Sequence, residues 1–219
     1  MKEKQKMKEK VKEFIVKNLK WIILFICLIG FLAIAEDVFN KEIMNGDIIG
    51  YKLISTFLIS DFATPIAKFI TNFGGAIFLA VLTIVLFILI KNKKIGVSIF
   101  SNLVIITALN QLLKNILQRP RPTEYRIIEE TGYSFPSGHS MISMAFYGYI
   151  IYLIYKYVKN KYIKWISIVL LSILICSIGI SRIYLGVHYT SDVLAGFMIS
   201  ISYLIIYISA VNKFFIKDE

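Results

Sequence analysis

Cysteine and histidine are nearly missing from these 219 residues, which hold two of each, and each scarcity rules something out. Cys27 and Cys176 both lie inside apolar runs, so neither a disulfide framework nor a thiolate metal site is indicated. The chain offers no carboxylate pair or histidine cluster that could hold a metal ion, and no other cofactor is implied, so a metal-free reaction is expected. Acid is short too: 14 Asp and Glu stand against 25 Lys and Arg, a formal charge of +11. There is no internal repeat, no low-complexity linker and no sign of a second domain. A removable leader is not expected, because eight lysines fall within residues 1–20 and no small-residue cleavage site precedes Glu36.

Apolar residues are what the chain has in excess, at 57% with a mean hydropathy of +0.70. They fall in blocks, which marks a membrane protein. A hydrocarbon core of about 30 Å needs about 20 helical residues, and six stretches qualify: 21–38, 74–90, 95–113, 139–158, 163–180 and 192–214. The expected fold is all-α: a basic cytoplasmic segment, residues 1–20, followed by a single domain, 21–219, of six transmembrane helices in a bundle. Lysines cluster in 1–20, 91–94, 156–164 and at 213 and 217, the alternation produced when basic loops stay in the cytoplasm. The charge therefore reports topology and attraction to anionic lipid rather than nucleic-acid binding. Both termini are expected inside, with the connections after spans one, three and five outside. The first of these, 39–73, carries Ile48, Ile49, Tyr51, Leu53, Ile54, Phe57 and Leu58 at near-helical spacing. That pattern predicts an interfacial amphipathic helix ended by Asp61–Pro65, either a wall of a lipid-entry path or a packing element.

The polar residues with chemistry in them lie on the expected outer side. The connection from Lys114 to Ser140 holds Lys114, Arg119, Arg121 and Arg126, against the topology trend. A bound anion accounts for Lys114 and Arg121, while Arg119 and Arg126 are read as snorkelling to headgroups. Pro136-Ser137-Gly138-His139 then runs into an apolar helix, whose unpaired N–H groups favour an anion. The third element, Ser181 to Asp192, contains Arg182, His188 and Asp192. The four-residue step from His188 to Asp192 stacks the two side chains on one helical face, so the carboxylate can hold one ring nitrogen and leave the other free. Two histidines across an anion cradle suit phosphoryl transfer, one attacking phosphorus and the other protonating the departing oxygen. Lys114, Arg121 and Arg182 with the helix start would stabilise the equatorial oxygens. Tyr125, Arg126, Glu129 and Glu130 are placed on a solvated rim, the alternative being that they set the preference for a monophosphate or a diphosphate.

Lys114-x6-Arg121-Pro122, Pro136-Ser137-Gly138-His139 and Ser181-Arg182-x5-His188-x3-Asp192 resemble, in order and internal spacing, the three signature motifs of the type 2 phosphatidic acid phosphatases. The likeness covers about residues 95–192. It implies a six-helix bundle, a covalent phosphohistidine on His188 oriented by Asp192, and His139 as general acid. It also implies phosphate binding by Lys114, Arg121, Ser137, Gly138 and Arg182. The bacterial branch it is most similar to dephosphorylates phosphatidylglycerophosphate or undecaprenyl diphosphate at the outer face of the cytoplasmic membrane. The expected partners are a phosphorylated lipid and the bilayer, with no nucleic acid and no obligatory protein. A lipid phosphotransferase and a non-enzymatic lipid or anion carrier are the competing readings.

Overall fold

The computed structural model describes residues 2–42 and 44–215, with side chains from residue 15 onward. Lys217 and the side chains of the first lysines fall outside the described residues. Eight α-helices make up the described chain: α1 Lys2–Phe39, α2 Asn45–Phe57, α3 Ala63–Asn72, α4 Ala76–Leu89, α5 Lys93–Leu117, α6 Gly138–Tyr157, α7 Lys161–Tyr184 and α8 Thr190–Phe214. The cytoplasmic segment expected at 1–20 is continuous with the first apolar helix from Lys2 onward.

Helix ends follow local chemistry. The Asn92 side chain accepts the Lys94 N–H at 3.1 Å to start α5, and Asn160 accepts from Tyr162 and Ile163 at 3.0 and 3.1 Å to start α7. Gln118 closes α5 in the left-handed region, φ 43°, with its N–H on the Lys114 carbonyl at 3.0 Å. Pro120 and Pro122 then keep the chain extended.

Among the described residues, four helices are long and apolar enough to cross a bilayer: α1 from Ile15, α5, α7 and α8. The second expected span divides differently. With 14 residues, α4 reaches only about 21 Å, and it becomes a fifth candidate span only together with α3, to which it is bent by 49°. The connection 39–73 therefore holds two helices. The first of them, α2, stops earlier than expected, at Phe57 with Leu58 as its C-cap, and Ala63–Pro65 instead open α3, whose first turn accepts Pro65 because the N–H there has no helical partner.

The stretch expected as the fourth span, α6, is not among the helices apolar enough to qualify, and its place in the bundle explains why. It packs on α5, α7 and α8, burying Ser140, Ser143, Tyr147 and Tyr149 along with Met141, Ala145, Phe146 and Leu153. Lipid is as apolar as leucine, so a bundle in lipid can turn polar and small residues inward and leave aliphatic ones outside. Tyr149 hydrogen-bonds the Ser98 hydroxyl at 2.8 Å, Tyr207 and Ser101 share a bond of 2.8 Å, and Ser200 donates to the Met141 carbonyl at 2.7 Å. Phe25, Ile29, Ile77, Ile88, Val169 and Leu170 are exposed. The remaining helices wrap this centre: α1 on α8, α3 on α7, α4 on α5, and α2 over one end of α7 and α8.

Candidate active site

All three polar segments meet at the end of the bundle where α5 stops, α6 begins and α7 hands over to α8. Gly186, at φ 70°, makes that last handover. Any Cβ there would lie 2.0 Å from the Tyr125 carbonyl oxygen, so the 118–137 connection is pressed against the turn that carries His188.

The pair expected from the i, i+4 spacing does meet, but not on one helical face, because α8 starts at Thr190 and His188 lies in the turn before it. His188 Nδ1 lies 3.3 Å from Asp192 Oδ2, and both side chains are buried. Arg121 Nη1 stands 3.1 Å from His188 Nε2. A guanidinium can only donate, so Nε2 is the accepting nitrogen and the ring proton sits on Nδ1, facing the carboxylate. Burial pushes the His188 ring down to about 4; Asp192 raises it, and Arg182 and Arg121 lower it further. The imidazole is therefore neutral at pH 7.

Asp192 is held from every side. Oδ2 also accepts the Tyr189 N–H at 2.9 Å and the Ser134 hydroxyl, and Oδ1 accepts Arg119 Nη1 at 2.7 Å. Its own carbonyl accepts the Ser137 N–H at 3.1 Å, tying the start of α8 to the start of α6.

The expected phosphate ligands surround these two. Arg121 is fixed by the carbonyls of Thr131 at 3.0 Å, Gly132 at 3.0 Å and Val187 at 2.9 Å. Arg182, from the last turn of α7, is wholly buried; Nη1 donates to Thr71 Oγ1 at 2.8 Å, Nη2 pairs with Glu130, and Nε has no partner among the described residues. Lys114 Nζ donates to the Tyr133 carbonyl. Ser137 precedes α6 as its N-cap and accepts from Ser140 Oγ at 3.0 Å. Gly138 faces Asn110, whose Oδ1 a Cβ would approach to 3.1 Å. His139, the second residue of α6, is half-buried, has no hydrogen-bond partner among the described residues, and lies within electrostatic reach of Arg182, His188, Arg121 and Lys114.

Two sequence readings are corrected here. Arg119 does not snorkel: its guanidinium sits between Asp47 and Asp192, 2.7 Å from each. Glu130 is no solvated rim residue either. It turns inward to Arg182, with Arg121 at 3.9 Å. Burial pushes the Glu130 carboxyl up, but Arg182 and then Arg121 outweigh that and hold it below the usual carboxylate range. Glu129 is exposed, and Arg126 stays near the rim with Glu129 at 3.9 Å. Ser134, in the 118–137 connection, and Thr71 and Asp47, on α3 and α2, also join the site; a lone hydroxyl or acid outside any motif carries no spacing signal.

The family model of the PAP2 superfamily matches residues 94–216, more than half of the chain and every motif residue in it. The chain belongs to the PAP2 superfamily. Within the superfamily it is similar to phosphatidylglycerophosphatase B of Bacillus subtilis (strain 168), 37% identical over 94 residues covering 42% of this chain and 46% of that protein. It is also similar to an undecaprenyl-diphosphatase of Sulfolobus acidocaldarius, 28% identical with 87% and 91% covered. The crystal structure of the transmembrane PAP2 type phosphatidylglycerolphosphate phosphatase from Bacillus subtilis superposes with a TM-score of 0.75, at 26% identity over 87% of this chain and 96% of that one. The PAP2 fold is thus common to both, and it accounts for the all-helical bundle seen here.

Proposed function

We propose that the protein is a lipid phosphatase, and that it hydrolyses a phosphomonoester or diphosphate of a membrane lipid through a phosphohistidine on His188. The observation that carries this reading is the His188 ring: neutral, backed at Nδ1 by a buried carboxylate, with its Nε2 lone pair aimed into a ring of fixed cations. The names of the similar proteins support a lipid substrate, with phosphatidylglycerophosphate and undecaprenyl diphosphate the leading candidates. Glu130 supports the anion site, since a carboxylate of the chain itself lies between Arg182 and Arg121.

The reaction follows from these positions. Phosphate enters among Lys114, Arg121, Arg182 and the N–H groups after Ser137, displacing the Glu130 carboxylate and drawing Arg121 off Nε2 onto an equatorial oxygen. Nε2 attacks phosphorus, and the bond from phosphorus to the lipid oxygen breaks. The negative charge of the bound phosphate favours a proton on His139; the departing oxygen takes that proton, while Asp192 stabilises the imidazolium character developing on His188. Water, activated by the now neutral His139, attacks the phosphohistidine and releases phosphate. Six spans with both termini cytoplasmic complete the proposal, α6 serving as a span because its polar side faces other helices, and the site opening on the extracytoplasmic side.

His188→Ala is expected to abolish phosphate release and phosphoenzyme trapping in protein that elutes as the wild type does. His139→Ala should slow an alkyl phosphate about 100-fold or more but p-nitrophenyl phosphate much less, because nitrophenolate needs no proton to leave. Including excess chelator tests the metal-free expectation in the same assay. Retained turnover in His188→Ala rejects the reading, and a phosphorylated acceptor in place of free phosphate favours the phosphotransferase.

A further inference from the structure

Asp47 and Arg119 take no part in the reaction as written, yet both carry charge into the protein interior, where an uncompensated charge is costly. Asp47 lies in the first turn of α2 and is 7% exposed. Its carboxylate reaches the start of α8 both directly and through Arg119. Oδ1 accepts the Ser191 backbone N–H at 2.8 Å, and Oδ2 accepts the Ser191 hydroxyl at 2.9 Å and Arg119 Nη2 at 2.7 Å. The Ser191 N–H belongs to the first turn of α8, which that helix cannot satisfy itself, so Asp47 caps it from another helix.

Arg119 completes the connection. Nη1 donates to Ser191 Oγ at 2.8 Å and Asp192 Oδ1 at 2.7 Å, while the guanidinium lies 3.9 Å from the Tyr189 ring centroid. One planar fork thus bridges two carboxylates, a geometry that lysine cannot copy.

The rest of α2 is seated on the same end of the bundle by independent contacts. Gly50 meets Thr190 so closely that a Cβ would lie 2.2 Å from Oγ1. Tyr51 stacks on Tyr125, centroids 4.7 Å apart, and Ile54 packs on the cluster of Tyr184, Leu185 and Val187. The opposite side of α2 exposes Ile48, Ile49 and Leu53.

Resting on the phosphatase reading, we infer that Asp47 and Arg119 are positioning residues: they grip the first turn of α8, fix the Asp192 carboxylate that orients His188, and so make the seating of α2 a condition for turnover. Oδ2 of Asp192 already serves Ser134, Tyr189 and His188. Without Arg119 on Oδ1 the carboxylate is free to turn, and the ring proton of His188 loses its fixed acceptor. Neither residue is among those proposed to hold the phosphate, so binding is expected to be left alone.

The test uses the purified full chain in detergent micelles with p-nitrophenyl phosphate. Asp47→Ala and Arg119→Gln are expected to lower kcat about 10- to 100-fold with KM unchanged, the double variant being no slower than the slower single one, because both act through one carboxylate. Asp47→Asn keeps an oxygen for the Ser191 N–H but loses the charge, so it should fall between wild type and Asp47→Ala. It also serves where the alanine variant does not fold. Arg119→Lys should recover only part of the loss. Wild-type kcat in Asp47→Asn and Arg119→Gln, a change confined to KM, or losses that simply multiply in the double variant would overturn the inference. His188→Ala separates the two claims. If it is inactive while the Asp47 and Arg119 variants match wild type, only this inference fails; if it is as active as wild type, the phosphatase reading fails with it.

Discussion

His188 shows how one residue's surroundings set its chemistry. An imidazole ordinarily titrates near 6.5, but burial among cations holds this one neutral down to about 4. Between those values the unfolded chain binds a proton that the folded chain refuses. Folded stability is therefore full above about 6.5 and is lost as pH falls toward 4, by up to about 3 kcal/mol from this residue. Thermal unfolding in detergent should record a falling midpoint across that window, and His188→Gln should flatten part of the fall; an equal slope in the variant would contradict the neutral assignment. The site's other residues divide by the kind of signal they leave. His188 and Asp192 stand out by their four-residue step, yet they do not share a helical face: α8 begins at Thr190, and it is Asp192 capping the Tyr189 N–H at the start of α8 that sets the carboxylate beside the ring in the preceding turn. Arg119 and Arg121 stand two residues apart in one basic connection; the motif singles out Arg121, and only the partners on α2 and α8 show that Arg119 is turned inward as well.

At the scale of elements, the break between α3 and α4 matters more than its length suggests. A Cβ on Gly74 would come within 2.8 Å of both Ile178 Cγ2 and Ser143 Oγ and 3.2 Å of His139 Cδ2, so the bend delivers bare backbone against the His139 ring. Gly74→Val is expected to cost about 1–3 kcal/mol in stability through overpacking and to slow alkyl phosphates more than p-nitrophenyl phosphate, as a displaced general acid would. Equal slowing of both substrates would place the damage elsewhere. Hydropathy found the apolar part of this pair but not the bend, because the α3 residues that bury Thr71 beneath Arg182 are not distinguished by composition. For the same reason α6 falls short of a span on hydropathy while lying at the centre of the bundle.

For the molecule as a whole, the proposed orientation predicts an accessibility pattern. In a Cys27→Ser, Cys176→Ser background, a cysteine at position 129 should react with a membrane-impermeant thiol reagent in intact cells. Cysteines at 92 and 159 should react only after permeabilisation, and the reverse order would invert the topology. The amino-acid sequence by itself determined the all-helical membrane class and three motifs with their internal spacing, but not how the apolar stretches divide into spans. The class and the motifs depend on neighbours along the chain, so no fold is needed to read them. Only the tertiary structure decided that Asp47, Thr71, Glu130 and Arg119 belong to the same cluster as His188. Their partners are 52 to 144 residues away. A buried charge names its partner only once the helices that carry the two have been packed together.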